Sequence, residues 1–217
     1  MRNEKFEKEI VSALTHFIGL LLAIAGLTLM VIFASLKGTA WHVVGFSIFG
    51  TSLILLYLAS SLYHYTPISR SLKNKLKTFD HAMIYVLIAG TYTPICLTAW
   101  RGAWGWSLFG VIWGLAIIGI VIQICKINIG RWTGTGIYIL MGWLIVVAFW
   151  PLTNTLSGWA WFWLASGGIA YTIGAIFYGF EKPLNRQRYF TLHEVFHLFV
   201  ILGSFCHFWL MLKYLIP

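Results

Sequence analysis

The stretch that decides the fold is "ALTHFIGLLLAIAGLTLMVIFAS", residues 13–35, which contains no Asp, Glu, Lys or Arg. Charged residues stand on both sides of it, with Glu9 before it and Lys37 after it. A helix needs about 20 apolar residues to cross about 30 Å of hydrocarbon, whereas the apolar core of a signal peptide has only about 7 to 15. The stretch is therefore predicted to be a transmembrane helix.

The rest of the chain repeats this pattern. Of its 217 residues 59% are hydrophobic and only 10% are charged, against about 25% charged in a soluble domain. Each apolar segment is too long for a buried strand, and open sheet edges are not tolerated in lipid. The sequence predicts an all-α integral membrane protein, a seven-transmembrane helix bundle that occupies residues 1–217 as a single domain. Its helices are expected at 13–35, 41–64, 79–99, 106–125, 133–152, 158–179 and 191–213.

The positive charge, 15 Lys and Arg against 6 Asp and Glu, is explained by topology and not by a nucleic-acid partner. Lys and Arg are retained on the cytoplasmic side of a membrane. Alternating segments place twelve cations on one side: Arg2, Lys5, Lys8, Arg70, Lys73, Lys75, Lys77, Lys126, Arg131, Lys182, Arg186 and Arg188. Only Lys37, Arg101 and Lys213 fall on the other. The N-terminus is therefore expected in the cytoplasm and the C-terminus outside, the reverse of a G-protein-coupled receptor.

Ionisable residues converge at the cytoplasmic ends of several predicted helices. "HEVFH", residues 193–197, matches the H-E-x-x-H pattern of zinc proteases, and its spacing puts His193 and His197 on one side of the last helix. His64 ends the second helix at the same face, and Asp80, the only Asp, opens the third with His81 beside it. Glu9 and His16 bracket the start of the first helix. Ionisable groups in a membrane usually face the bundle interior, where they pair or bind a ligand.

Three imidazoles from two helices suit Zn²⁺, which at a catalytic site takes three protein ligands and leaves a fourth position open for water. His64, His193 and His197 are the predicted ligands. Asp80 lies at the right depth to orient that water or accept its proton. Ser60 lies one turn deeper than His64, where its hydroxyl could bind an oxygen of a ligand or substrate. The simpler alternatives are that the histidines serve polar packing and that Asp80 caps the third helix.

Other polar residues receive structural expectations. His207 lies nearly three turns beyond His197, too far to share one zinc ion, so it is expected to make a polar contact within the bundle. Glu9 and His16 are expected to pack between helices or support the ligands. The basic stretch "SRSLKNKLK", residues 69–77, is predicted to be a cytoplasmic loop. "GVIWG", residues 110–114, has the small-residue spacing of close helix contacts and leaves homo-oligomerisation open.

Four motifs resemble the progestin and adiponectin receptor family, and most closely its bacterial hemolysin III branch. They are "EKEIVSALTHFIG" (7–19), "SSLYH" (60–64), "TFDHAMIYVLIAGTYTP" (78–94) with Asp80, and "HEVFH" in the last helix. The likeness covers nearly the whole chain. It departs from the family at Ser12, where the opening motif usually has Asn, which puts a polar role for that position in doubt.

The resemblance implies zinc bound by His64, His193 and His197, with Asp80 holding a water beside the metal. The family is also similar to alkaline ceramidases within a proposed superfamily of membrane metal-dependent hydrolases. The resemblance therefore implies hydrolysis of a lipid amide or ester, or a role in membrane-lipid homeostasis. A membrane lipid would be the substrate or ligand, and the metal site would lie near the cytoplasmic face of the cell membrane.

Two other functions remain open from the sequence. One is a pore-forming cytolysin, as the hemolysin name suggests, although the chain shows no obvious charged pore ring. The other is an intramembrane zinc protease that uses HEVFH with Glu194 as its base. On the family interpretation Glu194, the glutamate that completes the protease pattern, is incidental to the site and has no catalytic role.

Overall fold

The computed structural model describes residues 2–65, 69–148, 153, 155–181 and 191–217, with side chains from Glu9 onward. Within these ranges the chain forms seven long α-helices and no strand, which confirms the all-α prediction. They are α1 (Arg2–Lys37), α2 (Ala40–Tyr65), α3 (Arg70–Leu97), α4 (Ala103–Ile124), α5 (Arg131–Trp143), α6 (Gly158–Phe180) and α7 (Leu192–Leu210). A 3₁₀-helix, Leu144–Ala148, follows α5, and a π-helical turn, Met211–Leu215, follows α7.

Five of these helices are long and apolar enough to cross a membrane: α1, α2, α4, α6 and α7 with its π-helical turn. Their outward faces carry large apolar side chains, for example Leu21 and Leu22 on α1 and Ile117 on α4, all more than half exposed. Such faces are stable only against lipid or another apolar surface. The chain is a multi-pass membrane protein.

The basic stretch 69–77 is not a loop, because α3 begins at Arg70 instead of residue 79. Lys and Leu favour a helix, and Lys73 bonds across to Glu9 on α1. The longer helix also overturns one alternative for Asp80. That residue lies in the interior of α3, far from the free N–H groups of its first turn, so it does not cap the helix. Helix α1 likewise starts earlier than predicted, at Arg2.

Helix α5 is shorter than predicted. Its α-helical part ends at Trp143, where the pattern predicts a helix to residue 152; residues 149–152 lie outside the described ranges. The phenol of Tyr92 on α3 contacts the chain at this point. Its single O–H is shared between the carbonyls of Met141 and Gly142, at 2.9 and 2.7 Å, and its oxygen accepts the N–H of Ile145 at 2.8 Å. These bonds replace part of the helical ladder.

Helices α1 to α4 pack in chain order, α5 packs on α3 and α6, and α7 packs on α6 and returns to α1. The core between them is apolar, with Met30, Phe46, Phe49 and Leu210 fully buried. One end of the bundle is marked by the bond from Lys73 to Glu9 and by the ion pair of Arg131 with Glu181. The opposite end is marked by the hydrogen bond between the His42 ring and the carbonyl of Leu215.

The cations of the described residues divide between these two ends. Six lie at the first end, in the first turns of α3, after α4 or at the start of α5: Arg70, Lys73, Lys75, Lys77, Lys126 and Arg131. Lys37, Arg101 and Lys213 lie at the opposite end. The remaining predicted cytoplasmic cations lie outside the described side chains: Arg2, Lys5, Lys8, Lys182, Arg186 and Arg188.

The close contact predicted for "GVIWG" is not made among the described residues. A methyl group added to Gly110 or Gly114 on α4 would meet nothing within 4 Å. The tight approach is instead at Gly119 on the same helix, where an added Cβ would lie 2.3 Å from the ring of Tyr85. Homo-oligomerisation through this stretch stays a prediction.

Candidate metal centre

His64, His193 and His197 lie together at the first end of the bundle. One ring nitrogen from each falls within 4.8 Å of the others, and the Nε2 atoms of His64 and His193 are 3.0 Å apart. His64 ends α2, while the other two occupy the first turns of α7, one helical turn apart. The group is mostly buried, with His197 only 1% exposed. Three residues remote in sequence thus present nitrogen donors to one point.

The ring orientation of His197 is set by α1. Its Nδ1 lies 3.2 Å from the carbonyl oxygen of Ser12 and 3.1 Å from Oγ1 of Thr15. Because a carbonyl oxygen only accepts hydrogen bonds, Nδ1 carries the proton and Nε2 keeps its lone pair. Histidines that bind metals are usually fixed in this way by a partner on the other ring nitrogen.

Glu181, which the sequence analysis did not single out, faces His193 at ion-pair distance, while His193 Nδ1 forms no hydrogen bond among the described residues. Its Oε2 lies 3.4 Å from His193 Nδ1, and Arg131 lies 3.9 Å from the same oxygen. Desolvation raises the pKa of Glu181, but the His193 ring and the Arg131 charge outweigh it, so the pKa is lower than usual. One feature of the sequence could have pointed to Glu181: it is the acidic residue that follows the sixth apolar segment.

His16 stacks on His197, with ring centroids 3.5 Å apart and an angle of 11° between the planes. Its ring is buried, and neither nitrogen has a hydrogen-bond partner among the described residues. Glu9, which was expected to act with it, bonds to Lys73 instead. His16 therefore packs against a candidate ligand, as expected, while Glu9 ties α1 to α3.

Glu194 has a structural role that the sequence analysis missed. Its Oε1 accepts a 2.6 Å bond from the Ser12 hydroxyl, and its Oε2 accepts the Thr191 N–H at 2.7 Å. Thr191 and Glu194 form a capping box, for which the spacing T-x-x-E was the available signal. The carboxylate is outside the three-histidine group. Ser12 keeps a polar role although it replaces the usual Asn.

Asp80 and Ser60 line the same cavity as His193 and His197. Asp80 is buried and has the Ser60 hydroxyl as a hydrogen-bonding neighbour. His81 Nδ1 lies 3.6 Å from an Asp80 oxygen, and the other nitrogen of His81 lies 3.0 Å from the Tyr178 hydroxyl. Asp80 is not one of the three grouped donors, so its position suits a partner for a ligand beside the metal.

The cavity has a volume of about 120 Å³ and runs between α3, α5, α6 and α7. Its wall is largely apolar, with Leu87, Ile88 and Val200 among the lining residues. Its deep wall includes His207, which contacts the Gly203 carbonyl through Nδ1 at 2.8 Å and stacks on Tyr171. This is the polar contact expected for His207. A narrow apolar cavity that contains a few polar groups is typical of a small-molecule site.

The donor set fits a metal ion. Imidazole nitrogen suits Zn²⁺ and several other transition metals. The second nitrogen of His197 is fixed by hydrogen bonds from outside the group, and that of His193 faces the Glu181 carboxylate at 3.4 Å. A 3.0 Å separation between two ring nitrogens is also close to the spacing of ligands that share one ion with bonds of about 2.0 to 2.1 Å. The three-histidine group can therefore hold a metal ion.

Comparisons with known proteins cover almost the whole chain. The family model described as "Haemolysin-III related" matches residues 4–208. "Hemolysin-3" of Bacillus cereus is 45% identical over 213 residues, 97% of this chain and 93% of that protein. The "Hemolysin-3 homolog" of Bacillus subtilis is 42% identical over 209 residues, 96% and 94% of the two chains.

A more distant relative comes from an animal. The human "Monocyte to macrophage differentiation factor" is 25% identical over 208 residues, 93% of this chain and 82% of that protein. The resemblance seen in the four motifs is confirmed by the family match and by the two bacterial relatives. The chain is a multi-pass membrane protein that belongs to the haemolysin-III-related family.

Proposed function

We propose that this protein is a zinc-dependent membrane hydrolase that cleaves a lipid amide or ester. The observation that carries the proposal is the three-histidine group, whose members His193 and His197 line an apolar cavity together with Asp80. Metal donors, a carboxylate and an apolar wall at one place are the parts such a reaction requires. When bound, Zn²⁺ would lower the pKa of water towards about 7 and polarise a carbonyl.

Each residue near the cavity has a definite task in this proposal. His64, His193 and His197 bind the ion, while Glu181, Thr15 and the Ser12 carbonyl hold two of the rings in position. The Asp80 carboxylate orients the attacking water and accepts its proton. The Ser60 hydroxyl donates to an oxygen of the substrate. The apolar wall takes up the lipid chain and excludes bulk water from the reacting bond.

We further propose that all seven helices span the cell membrane, with the metal site near the cytoplasmic face and the N-terminus inside. The division of the described cations supports this arrangement, since the end with the three-histidine group carries six and the opposite end three. Lys and Arg concentrate on the cytoplasmic side. A membrane lipid would then reach the site from the bilayer.

The alternative of a protease with Glu194 as base is disfavoured by the contacts of that residue. Both carboxylate oxygens are already engaged, one by Ser12 and the other by the N-cap Thr191. Releasing Glu194 for catalysis would leave those buried partners unsatisfied. Asp80 is therefore the better base.

The metal is tested with purified protein in detergent. Wild type is expected to contain about one zinc per chain, as at other three-histidine sites, and His193→Ala is expected to lose it. His42→Ala is the matched control, because His42 is also buried and hydrogen-bonded but lies at the opposite end. Zinc that is retained by His193→Ala would contradict the metal site.

The reaction is tested by incubating the zinc-loaded protein with a membrane lipid extract and measuring released fatty acids by mass spectrometry. Asp80→Asn is expected to reduce release about 10²- to 10⁴-fold, the usual contribution of a general base, with zinc content unchanged. Glu194→Gln should reduce stability but leave most of the activity of the folded protein. A larger loss of activity in Glu194→Gln than in Asp80→Asn would favour the protease. Ion conductance by the purified protein without lipid hydrolysis would favour a cytolysin.

A further inference from the structure

His207, deep in α7, has a hydrogen-bond acceptor that the fold does not use. Its Nδ1 lies 2.8 Å from the Gly203 carbonyl, so this nitrogen carries the ring proton. The lone pair of Nε2 has no partner among the described residues, although the whole residue is only 4% exposed. The ring also lines the cavity. An acceptor that faces a largely apolar cavity lacks a hydrogen bond unless a ligand or a water molecule in the cavity supplies the donor.

The polar groups around His207 are satisfied by one another. Tyr57 donates to the Ser204 hydroxyl at 2.8 Å, Tyr171 lies 3.0 Å from the same oxygen, and Ser204 donates to the Val200 carbonyl. Tyr171 also stacks on the His207 ring at an angle of 11°. This network fixes the ring in place and leaves Nε2 as its remaining acceptor.

His207 also lies at the junction of two cavities. It lines both the cavity of the metal centre and a second cavity of about 310 Å³ between α3, α5 and α6. The wall of the second cavity is mostly apolar and includes Ile95, Val146 and Leu164. Six residues belong to both walls: Thr91, Tyr92, Gly142, Trp143, Gly168 and His207. A chain that starts at the three-histidine group can therefore pass His207 and continue beyond it.

The distance along this path follows from helix geometry. His207 is ten residues beyond His197 on the same helix, which corresponds to about 15 Å at the rise of an α-helix. A group bonded to Nε2 must be a donor, so a carboxylate or phosphate is excluded and a hydroxyl fits. An extended acyl chain of roughly a dozen carbons spans this distance.

We propose that His207 is a specificity residue for a long-chain lipid that carries a hydroxyl near the middle of its acyl chain. The hydroxyl donates to His207 Nε2, the carbonyl end lies at the three-histidine group, and the tail fills the second cavity. The position of the carbonyl end rests on the proposed function. The contact between the hydroxyl and His207 does not rest on the proposed function, because it depends only on the shape of the cavities and on the tautomer of His207.

The test compares the binding of two fatty acids to the full-length protein in detergent with radiolabelled ligand. Ricinoleate carries a mid-chain hydroxyl, and oleate is its counterpart without that group. Wild type is expected to bind ricinoleate about fivefold more tightly, the effect of one net hydrogen bond. His207→Phe keeps a ring to stack on Tyr171 and should abolish the preference without weakening oleate binding. His207→Gln retains a hydrogen-bond acceptor and should keep part of the preference for ricinoleate.

Equal affinities of wild type for the two fatty acids would overturn the proposal and indicate that a water molecule alone satisfies Nε2. An unchanged preference in His207→Phe would also overturn it. If His207→Phe does not fold, Gly167→Ala supplies the same test, because an added Cβ would lie 2.2 Å from the His207 ring and displace it. His193→Ala separates the two proposals. Because this variant loses zinc, it should bind ricinoleate and oleate equally more weakly and leave the ratio of the two affinities unchanged.

Discussion

At the scale of single residues, Glu181 is the acidic neighbour of His193 outside the three-histidine group. Its carboxylate faces Nδ1 of His193 at 3.4 Å and is itself held by Arg131. We expect Glu181→Gln to weaken zinc binding about 10- to 100-fold, the usual effect of removing the partner of a ligating histidine. The measurement is competition with a chelator of known affinity.

Glu9→Gln is the matched control for this prediction. Glu9 is also an acidic residue at the metal end of the bundle, but its partner is Lys73 and not a candidate ligand. This variant should keep wild-type zinc affinity. If both variants or neither of them weakened binding, Glu181 would have no specific role in positioning His193.

The sequence predicts the grouping of the three histidines better than it predicts their supports. The spacing of His193 and His197 is a local property of one helix, and the depth of His64 follows from counting apolar residues. The contacts of Thr15 and Glu181 depend on how α1 and α6 pack beside α7. Packing between helices leaves no periodic signal in the chain, so these partners were missed.

At the scale of elements, the switch of α5 into a 3₁₀-helix occurs where one phenol contacts the backbone. The Tyr92 hydroxyl serves two carbonyls of α5 and the N–H of Ile145. We expect Tyr92→Phe to destabilise the protein by about 1 to 3 kcal/mol, because it leaves buried backbone groups without partners. Amide hydrogen exchange at residues 144–148 should rise at the same time.

Tyr65→Phe is the control, because this substitution removes the same atom from an exposed side chain at the end of α2. It should leave both the thermal unfolding midpoint in detergent and the exchange at 144–148 unchanged. A Tyr92→Phe protein with wild-type stability and exchange would show that the 3₁₀-helix is fixed by packing alone.

The helix boundaries show what hydropathy can and cannot predict. It placed a helix at each of the seven predicted segments, five of which are long and apolar enough to cross a membrane. It failed at the polar ends of α1 and α3, where the helix continues into charged sequence. It also failed at Trp143, since the short 3₁₀ segment Leu144–Ala148 is as apolar as a helix that continues, and overall hydropathy does not distinguish the two.

At the scale of the whole molecule, the proposed topology gives opposite expectations for the two termini. Alkaline phosphatase, which is active only outside the cytoplasm, should be active when fused after Pro217 and inactive when fused before Met1. The reason is the larger number of cations at the metal end. Green fluorescent protein is the reciprocal reporter and should fluoresce only at the N-terminus. The reverse pattern would place the metal site outside.

The bonds between α1 and α7 join residues that are synthesised almost a whole chain apart; Ser12 and Glu194, for instance, are separated by 182 positions. A ribosome must therefore complete six helices before either histidine of α7 enters the membrane. Until then the chain holds one of the three candidate ligands, His64, and would not be expected to retain an ion. Metal binding would thus occur only after the last helix is synthesised. A chain truncated before α7 would lack both the contacts between α1 and α7 and the metal.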